Sequence, residues 1–181
     1  MQPGETIEDF VAKNGKHLLL RVPDLKDAED YLEFVNKLVE EDAPIKLDQK
    51  QNYLSELEYT VRKISRILAG NEIAIVAVAE GKVVADASII RKTGRERDVG
   101  TLGIAISKEF RNIGLGFELI RLLLERAKAE NYRIIELEVY ANNPAARHLY
   151  EKSGFKEAGT KPKVAIFKGQ YVDSISMYKE L

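Results

Sequence analysis

The chain has 181 residues, of which 45% are hydrophobic and 31% are charged, which is typical of one globular domain, 1–181, that can bury a sizeable core. Its formal net charge of −1 provides no overall attraction to nucleic acid or to an anionic membrane, and the absence of cysteine excludes disulfides and thiol chemistry. No apolar run is long enough to span a bilayer, and residues 1–5 do not resemble a signal peptide, so we expect a cytoplasmic protein.

Hydrophobic periodicity in the first half of the chain predicts a strand, two helices and a hairpin. Asp24 is typical of a helix N-cap, and Asp27 would occupy the third helical position after it. In both helices the apolar residues recur at helical spacing, which indicates one buried face on each. In chain order the elements are a strand at 16–22, a helix at 25–39 with a break at Pro44, a helix at 54–68 closed by Gly70, and a hairpin of 73–79 and 83–90.

The most informative segment is the loop 111–116, which lies between a strand-like run at 99–106 and a helix with one buried face. A glycine-containing loop before a helix gathers backbone N–H groups at the positive end of the helix dipole, as in many phosphate sites. Gly114 and Gly116 lack Cβ, so the loop can adopt positive φ and let a phosphate approach the main chain. Arg111 would add a cation at the rim. On spacing alone, an ordinary strand-to-helix turn is an equally good interpretation.

Two other phosphate-binding motifs fit this loop poorly. A Walker-type loop ends in Gly-Lys-Ser or Gly-Lys-Thr, whereas here Gly116 is followed by Phe117 and Glu118. A dinucleotide-binding fingerprint requires a third glycine three residues further on, and Leu119 occupies that position. The loop therefore belongs to neither of these two types.

A second informative segment predicts a strand followed by a short helix with defined ends. Residues 133–140 alternate between apolar and polar as a strand does. After them, Asn143 is typical of an N-cap, and Gly154 is typical of the residue just beyond a helix C-terminus. Helical spacing places Asn143, Ala146 and Tyr150 on one face of this helix.

Together, the loop 111–116 and the segment 139–155 resemble the two signatures of the GNAT superfamily of N-acetyltransferases, in the family's order and spacing. The resemblance implies an α/β fold in which helices flank a central twisted mixed β-sheet, with a V-shaped split between two central strands that end near Ile106 and Tyr140. A last hairpin is predicted at 164–168 and 171–179. The residues that carry the resemblance are Arg111, Gly114, Gly116, Asn143, Ala146, Leu149 and Tyr150.

The resemblance implies an acetyl-CoA-dependent N-acetyltransferase, in which a primary amine attacks the thioester directly and no metal takes part. Tyr150 matches the family residue that protonates the departing CoA sulfur. Ile106 would be the main backbone donor to the pantetheine arm and the acetyl oxygen. The residues assigned by resemblance to acetyl-CoA are Ile104, Ala105, Ile106, Arg111, Asn112, Ile113, Gly114, Leu115, Gly116, Asn143, Ala146 and Tyr150.

The sequence departs from the family's pattern at the position of the expected general base. Many members carry a glutamate in the strand before the loop, but Thr101 occupies that position here and accepts no proton usefully at neutral pH. The alternative general bases are Glu138, Asp98 and a water relay. Glu136 is interpreted as part of a solvated or ion-paired face. Because of Thr101, a catalytically weak acyl-CoA-binding or sensing module is the alternative function.

The sequence does not choose the acceptor, which the resemblance leaves as a small amine, a polyamine, or a protein N-terminus or lysine. In the family, acceptor pockets come from the least regular segments, which are here about 40–60, 91–98 and 157–171. The two separate histidines, His17 and His148, lack the carboxylate spacing of a metal site. We expect neither nucleic acid nor membrane as a partner, and either a monomer or a homodimer.

Overall fold

One eight-stranded sheet and four α-helices form the protein, and the computed structural model describes all residues, 1–181. Short 3-10 helices lie in the connections at Leu25–Asp27, Gly94–Glu96 and Lys108–Phe110. The helices are α1 (Ala28–Glu40), α2 (Tyr53–Leu68), α3 (Leu115–Ala129) and α4 (Pro144–Lys152). The strands are β1 (Thr6–Val11), β2 (His17–Arg21), β3 (Glu72–Ala79), β4 (Lys82–Arg91), β5 (Val99–Ile106), β6 (Ile134–Tyr140), β7 (Lys156–Phe167) and β8 (Gln170–Glu180).

The sheet divides into two arms between β5 and β6. The strand order is β1-β2-β3-β4-β5-β6-β8-β7, and every neighbouring pair is antiparallel except β5 and β6. This parallel pair is short, because only Val99–Thr101 pair with Ile134–Glu136. Beyond Thr101 the two strands run apart, while each remains paired with its outer neighbour. The predicted α/β class and the V-shaped split are therefore confirmed.

Separate apolar cores cover the two faces of the sheet. On one face, α3 packs through Leu119 and Leu123 against alternate residues of β3 and β4, and Tyr150 of α4 joins the same core. On the other face, Tyr31 and Phe34 of α1 pack against the intervening residues of β3 and β4. Because successive strand residues point to opposite faces, the two sides of the split present different side chains.

The structure extends the predicted sheet at both edges. The sequence does not predict β1, whose residues are mostly exposed or half-buried because the strand pairs only with β2. The structure also begins β7 at Lys156, well before the predicted start at Val164. The intervening residues are exposed and include Gly159 and Pro162, which are depleted in strands, so they give no hydrophobic alternation to recognise.

Helix ends agree with the sequence for α4 and differ for α1. The side chain of Asn143 accepts a hydrogen bond from the N–H of Ala146 (3.2 Å), and Gly154 has φ of 89°, so both predicted ends are confirmed. Asp24 precedes a 3-10 turn instead of a regular helix, and its N–H donates to the Asp27 carboxylate (2.7 Å). No helix combines the length and the apolar character needed to cross a bilayer.

Candidate active site

The split between β5 and β6 opens into a cleft of about 1500 Å³. On one face of the sheet the cleft is lined by α4 and by the loop that precedes α3. On the other face it is lined by segment 43–46, which connects α1 to α2, and by Tyr59 of α2. Two molecules that approach from opposite faces can therefore meet between the arms.

The register of β5 leaves backbone donors on the open edge of the split. The N–H of Ser107 donates to the carbonyl of Val84 (2.9 Å), so the odd-numbered residues of β5 pair with β4. Antiparallel pairing alternates, and the N–H groups of Ile104 and Ile106 therefore point away from β4, where β6 has already separated. The backbone of Ala105 pairs with β4 instead, so this residue lines the cleft without offering its N–H.

Free backbone donors also converge at the start of α3. The N–H groups of residues 112–114 form no backbone hydrogen bond, and the first bond within α3 runs from the N–H of Glu118 to the carbonyl of Gly114 (3.2 Å). The first three N–H groups of the helix are consequently without helical partners. This donor set fits a phosphate or pyrophosphate group.

The two glycines of the loop serve different purposes. Gly114 has φ of 91° at the N-cap of α3, as expected for a residue that opens the loop to a ligand. Gly116 does not have positive φ, so this part of the expectation was wrong. A Cβ at Gly116 would lie 2.9 Å from Cδ2 of Leu149 and 3.2 Å from Cδ1 of Ile106. Gly116 therefore allows α3 to approach α4 and the end of β5.

Arg111 is not the free cation that the sequence predicts at the rim. Its Nε donates to the carbonyl of Ile106 (2.7 Å), and its Nη2 donates to the carboxylate of Glu41 (2.8 Å). A different cation, Lys13, lies beside Gly114, where a Cβ would approach within 3.6 Å of its Cε. Sequence reasoning missed Lys13 because it did not predict β1, whose turn into β2 carries it.

Tyr150 is buried at the wall of the cleft with only 6% of its surface exposed. Its ring packs edge-on against Phe155, with centroids 6.0 Å apart. Burial raises the pKa of its hydroxyl to about 12, and no charged or hydrogen-bonding group offsets this effect. Tyr150 is therefore a protonated, poorly solvated donor at neutral pH, on the same helix as Asn143 and Ala146, which also line the cleft.

The model of the GNAT family of acetyltransferases matches residues 32–155 of this sequence. The chain belongs to the GNAT family. The L-amino acid N-acetyltransferase AaaT of Escherichia coli is 34% identical over 107 residues, which are 57% of this chain and 65% of that enzyme. The match thus spans just under two thirds of the curated relative.

Solved structures place the whole fold in the same family. A GNAT acetyltransferase from Streptococcus pneumoniae superposes with a TM-score of 0.80 at 30% identity, covering 91% of this chain and 99% of its own. The yncA protein of Salmonella typhimurium, solved with acetyl-CoA, has a TM-score of 0.78 at 22% identity. It covers 91% of this chain and 94% of its own, and at this identity it supports the fold alone.

In this GNAT protein, the glutamates near the position of Thr101 are all ion-paired. Glu138 lines the cleft and forms an ion pair with Lys161. Glu136 binds Lys92 (2.7 Å) and accepts a hydrogen bond from the hydroxyl of Thr101 (3.3 Å), which agrees with the interpretation of Glu136 as part of an ion-paired face. The other candidate carboxylate base, Asp98, lies outside the cleft, in a smaller pocket beside Arg133 and Glu180.

Sequence reasoning missed Asp86, which lies in the middle of β4 and lines the cleft. Its carboxylate accepts hydrogen bonds from the hydroxyl of Tyr31 (2.9 Å) and from Nζ of the fully buried Lys63 (2.9 Å). Burial would lower the pKa of Lys63, but the combined effect of Asp86, Tyr59 and Glu72 outweighs it and raises that pKa overall. The charge of Asp86, together with burial, raises the pKa of Tyr59 to about 12. A single acid within an otherwise apolar strand was the signal available in the sequence.

Proposed function

We propose that this protein transfers the acetyl group of acetyl-CoA to a primary amine by direct attack of the amine on the thioester. One observation carries the proposal. The free N–H groups of the open β5 edge, the free N–H groups at the start of α3 and the buried hydroxyl of Tyr150 line a single cleft that is open from both faces. Membership of the GNAT family supports the same reaction class.

The backbone accounts for acetyl-CoA binding in this proposal. Residues 112–116 would hold the pyrophosphate through their N–H groups, with Lys13 adding positive charge beside Gly114. Along β5, the N–H of Ile104 would hold the pantetheine arm, and the N–H of Ile106 would stabilise negative charge that develops on the acetyl oxygen. Asn143 and Ala146 would contact the arm from α4.

Tyr150 is the proposed general acid. As the amine nitrogen bonds to the acetyl carbon, the carbon–sulfur bond breaks and the hydroxyl of Tyr150 donates its proton to the departing sulfur. Because its pKa is about 12, the Tyr150 hydroxyl carries its proton at neutral pH, and after the transfer to sulfur the phenolate recovers a proton from water. The amine loses its own proton to water or to Glu138, the candidate base.

We propose a small primary amine as the acceptor, with L-amino acids as the first class to test. AaaT, the E. coli relative, is by name an L-amino acid N-acetyltransferase. The family model, matched at 32–155, includes the loop and α4. Polyamines and the N-terminus or lysine side chain of a protein are the other acceptors to compare. The comparison of L-methionine, spermidine and a lysine peptide in a CoA-release assay separates these classes.

The direct test begins with acetyl-CoA itself. Acetyl-CoA at about 100 times its Kd should stabilise the protein by about 2.7 kcal/mol, which for this size raises Tm by roughly 5–10 °C. The Gly114→Asp variant, which places a negative side chain in the loop, should lose this shift. An unchanged Tm of the wild-type protein would remove the proposed function.

A catalytically weak acyl-CoA-binding module is the second candidate, because Thr101 replaces the usual glutamate and Glu136 and Glu138 are both ion-paired. Both candidates predict the Tm shift. Only the enzyme predicts release of CoA that depends on added amine.

A further inference from the structure

Arg111 connects the end of β5 to the end of α1. Its Nε donates to the carbonyl of Ile106 (2.7 Å), which is the last residue of β5 and carries the proposed N–H donor. In an extended strand the C=O and N–H of one residue point to the same edge. A guanidinium bound to this carbonyl therefore holds the open edge of β5 in the geometry that directs the Ile106 N–H into the cleft.

Glu41 fixes Arg111 in this position. One oxygen of its carboxylate accepts a hydrogen bond from Nη2 of Arg111 (2.8 Å), and the other accepts one from the backbone N–H of Lys108 (3.3 Å). The Glu41 side chain is only 12% exposed, whereas that of Arg111 is 36% exposed. A charge-assisted bond to a largely buried carboxylate holds its partner more firmly than an exposed ion pair does.

Glu41 also lies next to the opposite side of the cleft. It is the C-cap of α1, and segment 43–46, which follows it directly, lines the cleft on the α1–α2 face. One carboxylate therefore joins the end of α1, the turn before the loop and the edge of β5.

We propose that Glu41 is a positioning residue for acetyl-CoA, which acts by holding the Arg111 guanidinium on the carbonyl of Ile106. This inference rests on the proposed function, since acetyl-CoA is the ligand that the edge of β5 would receive. It gives Arg111 a role that differs from that of a phosphate ligand. Its Nε and one of its Nη2 donors are already engaged by Ile106 and Glu41.

A neighbouring ion pair supplies a matched control. Lys37 of α1 binds Glu109 of the 3-10 turn (3.0 Å), so it also connects α1 to the segment before the loop. Both side chains are exposed, at 45% and 62%, and neither contacts Ile106. Substitution of Glu109 therefore removes a similar connection without releasing Arg111.

The test measures the Kd of acetyl-CoA by titration calorimetry for the wild-type protein and for E41A, E41Q and E109Q. We expect E41A to bind roughly tenfold more weakly, which is the effect of one lost charge-assisted hydrogen bond. E41Q retains an acceptor oxygen without the charge and should fall between E41A and wild type. E109Q should bind within about twofold of wild type.

A double-mutant cycle tests whether Glu41 acts through Arg111. R111K keeps the positive charge but lacks the second donor that bridges Ile106 and Glu41, so it should weaken binding by itself. The E41A/R111K variant should then bind no more weakly than R111K, because the two changes remove the same contact. Additive losses would overturn the proposed route through Arg111.

The outcomes separate this inference from the proposed function. If wild type fails to bind acetyl-CoA, the proposed function falls and the role of Glu41 falls with it. If wild type binds and E41A and E41Q bind equally well, only the role of Glu41 is wrong, even if both variants melt at a lower temperature. Tighter binding by E41A would mean that Arg111 is released to a phosphate, which also overturns the inference.

Discussion

Replacement of Tyr150 by phenylalanine should lower kcat strongly without weakening the fold. The hydroxyl is the proposed proton donor to the CoA sulfur, and it lies in a core where 94% of the residue's surface is covered, since only 6% is exposed. Removal of one oxygen leaves the ring and its edge-on contact with Phe155 in place. The substitution therefore removes the proton and little else.

The pKa of about 12 sets the protonation state of Tyr150. A rise of about two units above the ordinary value of 10 corresponds to about 2.7 kcal/mol of extra cost for the charged form, so the hydroxyl stays protonated throughout the working pH range. A positioned general acid contributes roughly 100- to 10,000-fold, and we expect kcat to fall by at least about 100-fold. The free energy of unfolding should stay the same or rise by about 1 kcal/mol, because a poorly solvated hydroxyl is removed.

The assay is CoA release at saturating acetyl-CoA and acceptor, with the Kd of acetyl-CoA and the Tm measured on the same samples. A gain of about 1 kcal/mol would raise Tm by about 2–4 °C. Tyr132→Phe is the control, since its buried hydroxyl also lacks a hydrogen-bond partner but lies outside the cleft. Equal kcat for Tyr150→Phe and wild type would refute the proton-donor role, and a fall in both variants would indicate a general effect on packing.

Four further predictions concern Lys13, Gly116, Lys63 and the pH dependence of kcat. Lys13→Glu should weaken acetyl-CoA binding roughly tenfold and reduce its salt dependence, as measured by calorimetry at two ionic strengths. Gly116→Ala should cost no more than about 1 kcal/mol of unfolding free energy in urea, because its Cβ would displace only the end of the Leu149 side chain, 2.9 Å away, and alanine is favoured over glycine in a helix. Lys63→Met should cost about 3–5 kcal/mol in the same assay, because Asp86 would lose the buried charge that balances it. Finally, kcat should not decline between pH 8 and pH 10, because Tyr150 loses its proton only as the pH approaches about 12. A decline with a midpoint below pH 10 would contradict the raised pKa of Tyr150.

Local signals made most of the fold predictable from the sequence. The N-cap at Asn143, the glycine beyond α4 and the hydrophobic period of α3 each specify structure within a few residues, and the structure agrees with them. The exposed edge strand β1 and the first part of β7 escaped prediction because a strand that buries neither face has no alternation to detect. Each of these edge strands pairs only with the neighbouring strand of its own hairpin.

The site was predictable where it depends on the backbone and less so where it depends on distant side chains. The loop 111–116 and the edge of β5 follow from motif spacing, because a free N–H needs only a strand end or a helix start. Glu41 and Arg111 are 70 residues apart along the chain, and their contact depends on how α1 crosses the sheet. Lys63 and Asp86 meet in the same way across 23 residues, so only the folded structure brings these charges together.

The ion pairs of the acidic residues in the cleft limit which group can act as the general base for the acceptor amine. Protonation of Asp86 would leave the buried Lys63 with less compensation, whereas Glu138 forms an exposed ion pair with Lys161 whose loss costs little. An amine that reaches this cleft as a cation has no unpaired acid to receive its proton. Where water instead of Glu138 takes the proton, the free amine comes from solution, and its fraction at neutral pH falls about tenfold for each unit by which its pKa rises. On this reasoning the cleft favours acceptors whose amines are less basic, such as α-amino groups, over lysine side chains with a pKa of about 10.4.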